Sequence, residues 1–122
     1  MIYFFFTFVS MLENRRSTRY HTNARAHIPG VLREEIFLKN ISITGCCVES
    51  KVFSNVAPNS SYNMEIEPET AAGIEMFSLV VECKWIRSGR HHEEIGFNIS
   101  SPPKCKLFQR YVDYLSCRAA LA

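Results

Sequence analysis

Met76-Phe77-Ser78-Leu79-Val80-Val81-Glu82-Cys83-Lys84-Trp85-Ile86 is the longest strand-forming stretch of the chain, and Ser88-Gly89-Arg90-His91-His92 follows it as a turn. Glu94-Ile95-Gly96-Phe97-Asn98-Ile99 then returns as its partner. β-branched and aromatic residues fit a half-buried pleated surface, and a Gly-containing break between two such runs reads as a hairpin. Working toward the N-terminus, Tyr62-Asn63-Met64-Glu65-Ile66-Glu67 alternates apolar and polar residues and stops at Pro68. Glu35 to Ser42 and Cys46 to Ser50 flank a Thr44-Gly45 turn, and Ala24-Arg25-Ala26-His27-Ile28 precedes a Pro29-Gly30 turn. Short strands at this spacing predict a small antiparallel barrel or sandwich, and closure would remove exposed strand edges.

Toward the C-terminus the period changes. Ser101-Pro102-Pro103 breaks the strand pattern, and Leu107, Phe108, Tyr111, Val112 and Leu115 recur at helical spacing. One amphipathic helix, through about Cys117, is expected to pack on the strands. With 122 residues the chain has room for one domain, and 47% hydrophobic with 21% charged residues marks a soluble globular one. Trp85 is assigned to the core, with ligand stacking as the alternative.

Residues 1–12, MIYFFFTFVSML, hold ten hydrophobic residues, five of them aromatic, and no charge. A spanning helix needs about 20 apolar residues, so this run is too short for a transmembrane segment. Nor does it have the basic start and small-residue cleavage site of a signal peptide. Two readings stay open: a short strand or helix covering an apolar patch, or a true start at Met11 with residues 1–10 as an extension. The organisation expected is an apolar extension over 1–12 and one domain over 13–118.

Five cysteines at 46, 47, 83, 105 and 117 have no CxxC spacing. Adjacent Cys46 and Cys47 on a strand point to opposite faces, so the simplest account is reduced buried thiols in a cytoplasmic protein. His91-His92 has no further ligand at zinc-finger spacing and reads as two exposed turn residues; no metal site is expected. No nucleophile, base and orienting group can be assembled into a catalytic set, so no enzyme is expected either.

The net charge is +2, but its distribution is uneven. Arg15, Arg16, Arg19 and Arg25 fall between Asn14 and Arg25 with no acid among them. This basic pole is too small for a general nucleic-acid stripe and suits a small polyanion better. Two motifs refine that reading. Arg15-Arg16-Ser17-Thr18-Arg19 is R-x-x-x-R, and about 20 residues later Asn40-Ile41-Ser42-Ile43-Thr44-Gly45 is N-x-S-x-x-G. Each is weak alone; their order and spacing ahead of the strand pattern and terminal helix are more specific.

Together with Val81-x-Cys83-x-Trp85 and Ile95-Gly96-Phe97, these motifs resemble the PilZ domain family, bacterial receptors for cyclic di-GMP, over about residues 13–117. The resemblance implies a mainly β fold, a six-stranded antiparallel barrel with a C-terminal helix. It also implies that the dinucleotide binds the outer surface of the barrel under a flexible arginine-bearing arm. Carried onto this chain, the binding residues are Arg15, Arg16, Arg19, Asn40, Ser42 and Gly45. Guanidinium suits such a ligand because its fork matches phosphate or a guanine edge and its plane can stack. Arg15 and Arg19 are assigned to phosphate and guanine contacts, and Arg16 to added charge or stacking. Asn40 offers an amide to a guanine edge and Ser42 a hydroxyl near it; Gly45 supplies either a positive φ or close backbone approach.

The expectation is therefore a cyclic di-GMP receptor with no other cofactor, acting on a downstream protein partner as a monomer or weak homodimer. The alternative is a PilZ-like protein-interaction module that does not bind nucleotide. A third possibility, a single-stranded nucleic-acid-binding barrel, rests only on the basic and aromatic residues.

Overall fold

The computed structural model describes residues 18–31, 36–51, 55–100 and 105–121. The apolar start, Arg15, Arg16 and the Pro102-Pro103 break lie outside the described residues. The strands are β1 (Tyr20–His21), β2 (Arg25–His27), β3 (Ile36–Ile41), β4 (Gly45–Ser50), β5 (Ser61–Glu67), β6 (Phe77–Ser88) and β7 (Glu93–Ile99), and one helix follows, α1 (Lys106–Leu121).

All pairings are antiparallel, and the order β3-β2-β5-β6-β7-β4 closes on itself through β3–β4. That is the six-stranded barrel expected, and β1 is a seventh strand that the sequence reading did not separate. It lies along β3 beyond β2, with Tyr20 opposite Ile41 and His21 opposite Asn40. The interruption between β1 and β2 has a local cause. Thr22 Oγ1 donates to the Leu38 carbonyl at 2.6 Å and accepts from the Ala24 N–H at 3.0 Å, so a side chain substitutes for ladder bonds. At the other end of β2, Gly30 has φ 79° after Pro29, and the Val31 N–H returns to the Ile28 carbonyl. Pro then Gly with a positive φ is the type II turn signature.

Inward residues alternate along each strand: Leu38, Cys46, Val48, Met64, Ile66, Leu79, Val81, Ile95 and Phe97 are all buried. Helix α1 seals one end with Phe108, Tyr111, Val112 and Leu115, and Phe77 at the start of β6 lies 6.1 Å from the Phe108 ring and 6.0 Å from that of Tyr111. Positions i, i+3, i+4 and i+7 form the apolar stripe that a helix on a barrel needs.

Two bulges break the alternation. Register shifts by one residue between Leu38 and Asn40 on β3, and between Cys83 and Trp85 on β6. A bulge turns the residues beyond it to the other face. Trp85 is consequently not a core residue, as its sequence had implied: it is 40% exposed on the outer surface.

The cysteines divide by position. Cys46 points inward and Cys47 outward, as adjacent strand residues must; Cys46, Cys47 and Cys83 are buried, Cys105 half-buried and Cys117 exposed, and all five are free. Burial pushes the Cys46 thiol up to about 12, with neighbouring Cys47 adding to the effect and Arg19 opposing it.

Candidate functional site on the outer barrel face

Asn40-Ile41-Ser42-Ile43-Thr44-Gly45 forms the β3–β4 turn. Ser42, 1% exposed, is its keystone: Oγ accepts the N–H of Thr44 at 3.2 Å and of Gly45 at 3.1 Å, and the Ser42 N–H donates to the Gly45 carbonyl at 2.8 Å. The hydroxyl is thus committed to holding the turn. Gly45, whose φ is not in the left-handed region, needs its lack of a side chain for close approach. A Cβ there would stand 2.8 Å from the Phe97 carbonyl oxygen and 3.3 Å from a guanidinium nitrogen of Arg19.

The two motifs meet at this turn. Arg19 donates from NH1 to Asn40 Oδ1 at 2.9 Å across 21 residues of sequence, while its other terminal nitrogen lies over Gly45. Strand β1, starting at the next residue, fixes that placement by pairing with the end of β3. Arg19, Asn40, Ser42 and Gly45 are therefore brought together.

From Asn40 a single register row crosses the outer face: Asn40 opposite Cys47, Cys47 opposite Gly96, and Gly96 opposite Trp85. Beside it, Lys39 Nζ bonds Glu94 Oε1 at 2.9 Å, spanning β4. The hydrogen bond to Lys39 holds the Glu94 carboxyl below its ordinary range, and the same bond raises the Lys39 ammonium. Arg87 stands 5.4 Å from the centre of the Trp85 ring. The face thus combines three cations, the engaged acid Glu94 with Glu49 opposite it on β4, an indole and a floor of small residues.

Two hollows elsewhere are chemically different. One of about 570 Å³ runs along Glu67 to Met76, and one of about 290 Å³ is lined by Asn23, Arg25 and residues 67–70. Glu67 and Glu69 line both, which disfavours a phosphate ligand there. Among the described residues no group of three His, Cys, Asp or Glu side chains could hold a metal ion, and no helix is long and apolar enough to cross a membrane.

No protein-family model matches the sequence, and no curated protein is similar to it. Among solved structures, the Bacillus subtilis inhibitor of motility MotI/DgrA matches with a TM-score of 0.69 at 16% identity, over 88% of this chain and 51% of that one. The chain therefore spans about half the length of that protein. The fold is PilZ-like, a closed six-stranded barrel with one extra strand and a C-terminal helix.

Proposed function

We propose that this protein is a non-enzymatic receptor for cyclic di-GMP that relays ligand occupancy to a protein partner. The observation that carries the reading is the 2.9 Å bond between Arg19 and Asn40, which joins two motifs distant in sequence at one outer-face turn. A guanidinium has five donors, and among the described residues Arg19 spends one on a side chain, leaving the fork for phosphate or a guanine edge. Arg15 and Arg16 precede it on the same segment and add charge for a ligand with two phosphates. Asn40 both presents Arg19 and offers its amide, Gly45 leaves room above the backbone, and Ser42 contributes by holding that turn.

The structural likeness to an inhibitor of motility supports a regulatory output through a partner rather than catalysis. Isothermal titration of the purified protein with cyclic di-GMP tests the proposal. Saturable heat at micromolar ligand is expected; no heat at tens of micromolar overturns it and favours a docking module independent of nucleotide.

A further inference from the structure

We infer that the hollow between the end of β5 and the start of β6 docks a protein partner, through a segment that presents a lysine or arginine beside an apolar side chain. The inference rests on the relay to a partner in the proposed function and supplies its surface. It draws on none of the residues around Arg19.

The hollow encloses about 570 Å³, within the range of clefts that receive side chains or small ligands. Its wall is fixed by local hydrogen bonds. Pro68, which has no N–H for a ladder, follows the last residue of β5, and Thr70–Ala72 form one turn of 3-10 helix. The Ala72 N–H donates to the Glu69 carbonyl at 3.0 Å and the Gly73 N–H to the Thr70 carbonyl at 3.1 Å. Gly73 has φ 63°, and a Cβ there would have no heavy atom within 4 Å, so the space over the turn is open. From beneath, Ala72 and Ile74 pack against the core, and Tyr111 and Arg118 hold the Glu69 carboxylate. A partner would meet a preformed surface and lose little free energy in ordering it.

The apolar part of the lining is Pro68, Ile74 and Met76, the last 56% exposed. A lone exposed apolar side chain is ordinary. Here it borders a concavity whose other apolar walls are already supported by the core, and methionine, unbranched and polarizable, adapts to the shape of what it meets.

Charge identifies the occupant. Glu67, Glu69 and Glu75 line the hollow, and no lysine, arginine or histidine does. Glu69 is committed to Tyr111 and Arg118. Glu67 and Glu75 are exposed and form no ion pair among the described residues. Arg25, opposite Glu67 in register, lines the smaller adjoining hollow instead. Carboxylates left without a cation beside an apolar floor attract one, and guanidinium or ammonium makes the strongest hydrogen bonds to them. The long stem of lysine or arginine is itself apolar and can lie along Ile74 and Met76 while its head reaches Glu67 or Glu75. A phosphate-bearing ligand is repelled by the same charges. The competing role is that these acids only keep the surface soluble.

The test is a titration of the isotope-labelled intact protein with an amphipathic leucine–lysine peptide of about 14 residues, four helical turns long. Glycine–lysine and leucine–glutamate counterparts serve as controls. The leucine–lysine peptide alone should saturate, and the amide resonances it moves should fall within residues 67–76. Glu67→Gln with Glu75→Gln should weaken it about tenfold, and Met76→Ser about fivefold. No binding, shifts centred elsewhere, parental affinity in both variants, or equal binding of the glycine–lysine peptide overturns the inference. Should a variant fail to fold, the shift map of the parent still decides. Heat on titration with cyclic di-GMP should be unchanged in the Glu67→Gln, Glu75→Gln variant. Heat without peptide binding removes the docking surface and leaves the receptor reading; peptide binding without heat removes cyclic di-GMP and leaves the docking surface.

Discussion

The ends of two segments that flank β1 are treated oppositely. On one side of it, Glu69 receives the Tyr111 hydroxyl at 2.6 Å and Arg118 at 2.9 Å, while Arg118 also donates to the His21 carbonyl. On the other, exposed Arg19 makes one side-chain hydrogen bond among the described residues, to Asn40. Two arginines near one short strand thus do different things. Arg118 is the last link of a filled network that ties α1 to the barrel, whereas Arg19 is positioned and left with donors to spare. Under the proposed function the contrast separates stability from recognition, and substitutions on each side should separate them too.

The largest effect on stability is expected from Glu69→Ala. It removes the acceptor of a fully buried tyrosine's hydroxyl and the partner of Arg118, and a buried donor losing a charged acceptor costs about 1.5–3 kcal/mol. Urea unfolding should show that loss while the affinity for cyclic di-GMP changes by less than about twofold. Equal losses in both would mean that the helix clasp and the proposed ligand face are one unit.

Arg19→Ala is the mirror experiment. Its single exposed bond is worth little to folding, so stability should stay within about 0.5 kcal/mol of the parent. Binding should weaken by about 1.5–3 kcal/mol if its charged hydrogen bonds to the ligand are made. A stability loss as large as that of Glu69→Ala would place Arg19 among the structural arginines.

Gly45→Ala tests the point where the two properties converge. Its Cβ would press on the Phe97 carbonyl at 2.8 Å, which strands β4 and β7 must yield to accommodate, at about 1–2 kcal/mol. The same methyl approaches Arg19, so affinity should fall as well. An unchanged melting profile would show that the β4–β7 contact relaxes freely.

How far the sequence disclosed this contrast depends on the element. The alternation in Tyr62–Glu67 and the stripe Phe108, Tyr111, Val112, Leu115 each report one burial face directly, and the structure follows them. Trp85 was misread because period-two logic carries Val81 and Cys83 inward and has no signal for the bulge at Lys84. Strand β1 is two residues long, too short for a periodic pattern; it exists by pairing with the end of β3, and the Thr22 side chain ends it. Asn40, Ser42 and Gly45 were legible as a turn, since their spacing is local; that Arg19 lands on Asn40 was legible only through the family resemblance. The Glu69–Tyr111–Arg118 clasp left no signal at all, because its members are 42 and 49 residues apart and none has a motif.

The smallest effect, and the one that divides the two regions most finely, is the acid dependence of stability. Burial raises the Glu69 carboxyl, but the Tyr111 hydroxyl, backbone N–H groups and the Arg118 charge outweigh it and hold the carboxyl below its ordinary value. A depressed folded-state value means that the contribution is complete above the unfolded-state range of about 4.3 and is lost as pH falls through the folded value. Glu94, on the outer face that carries Arg19 and Asn40, is lowered chiefly by Lys39 and contributes with the same sign. Its partner has the opposite dependence: the raised Lys39 ammonium stabilises below about 10.4 and loses that contribution as pH rises through its folded value. The Lys39–Glu94 and Arg118–Glu69 ion pairs are about equally open to solvent and salt screens both, but Glu69 also accepts from the Tyr111 hydroxyl and from backbone N–H groups, which salt does not screen. Unfolding free energies measured from about pH 3 to 7 should therefore lose most of their acid slope in Glu69→Gln and little of it in Glu94→Gln. Added salt should flatten the residual slope of Glu69→Gln proportionally more than the slope of the parent, which keeps the Tyr111 hydrogen bond. A slope that survives Glu69→Gln intact would move the acid-sensitive contact from the helix clasp to the outer face around Lys39 and Glu94.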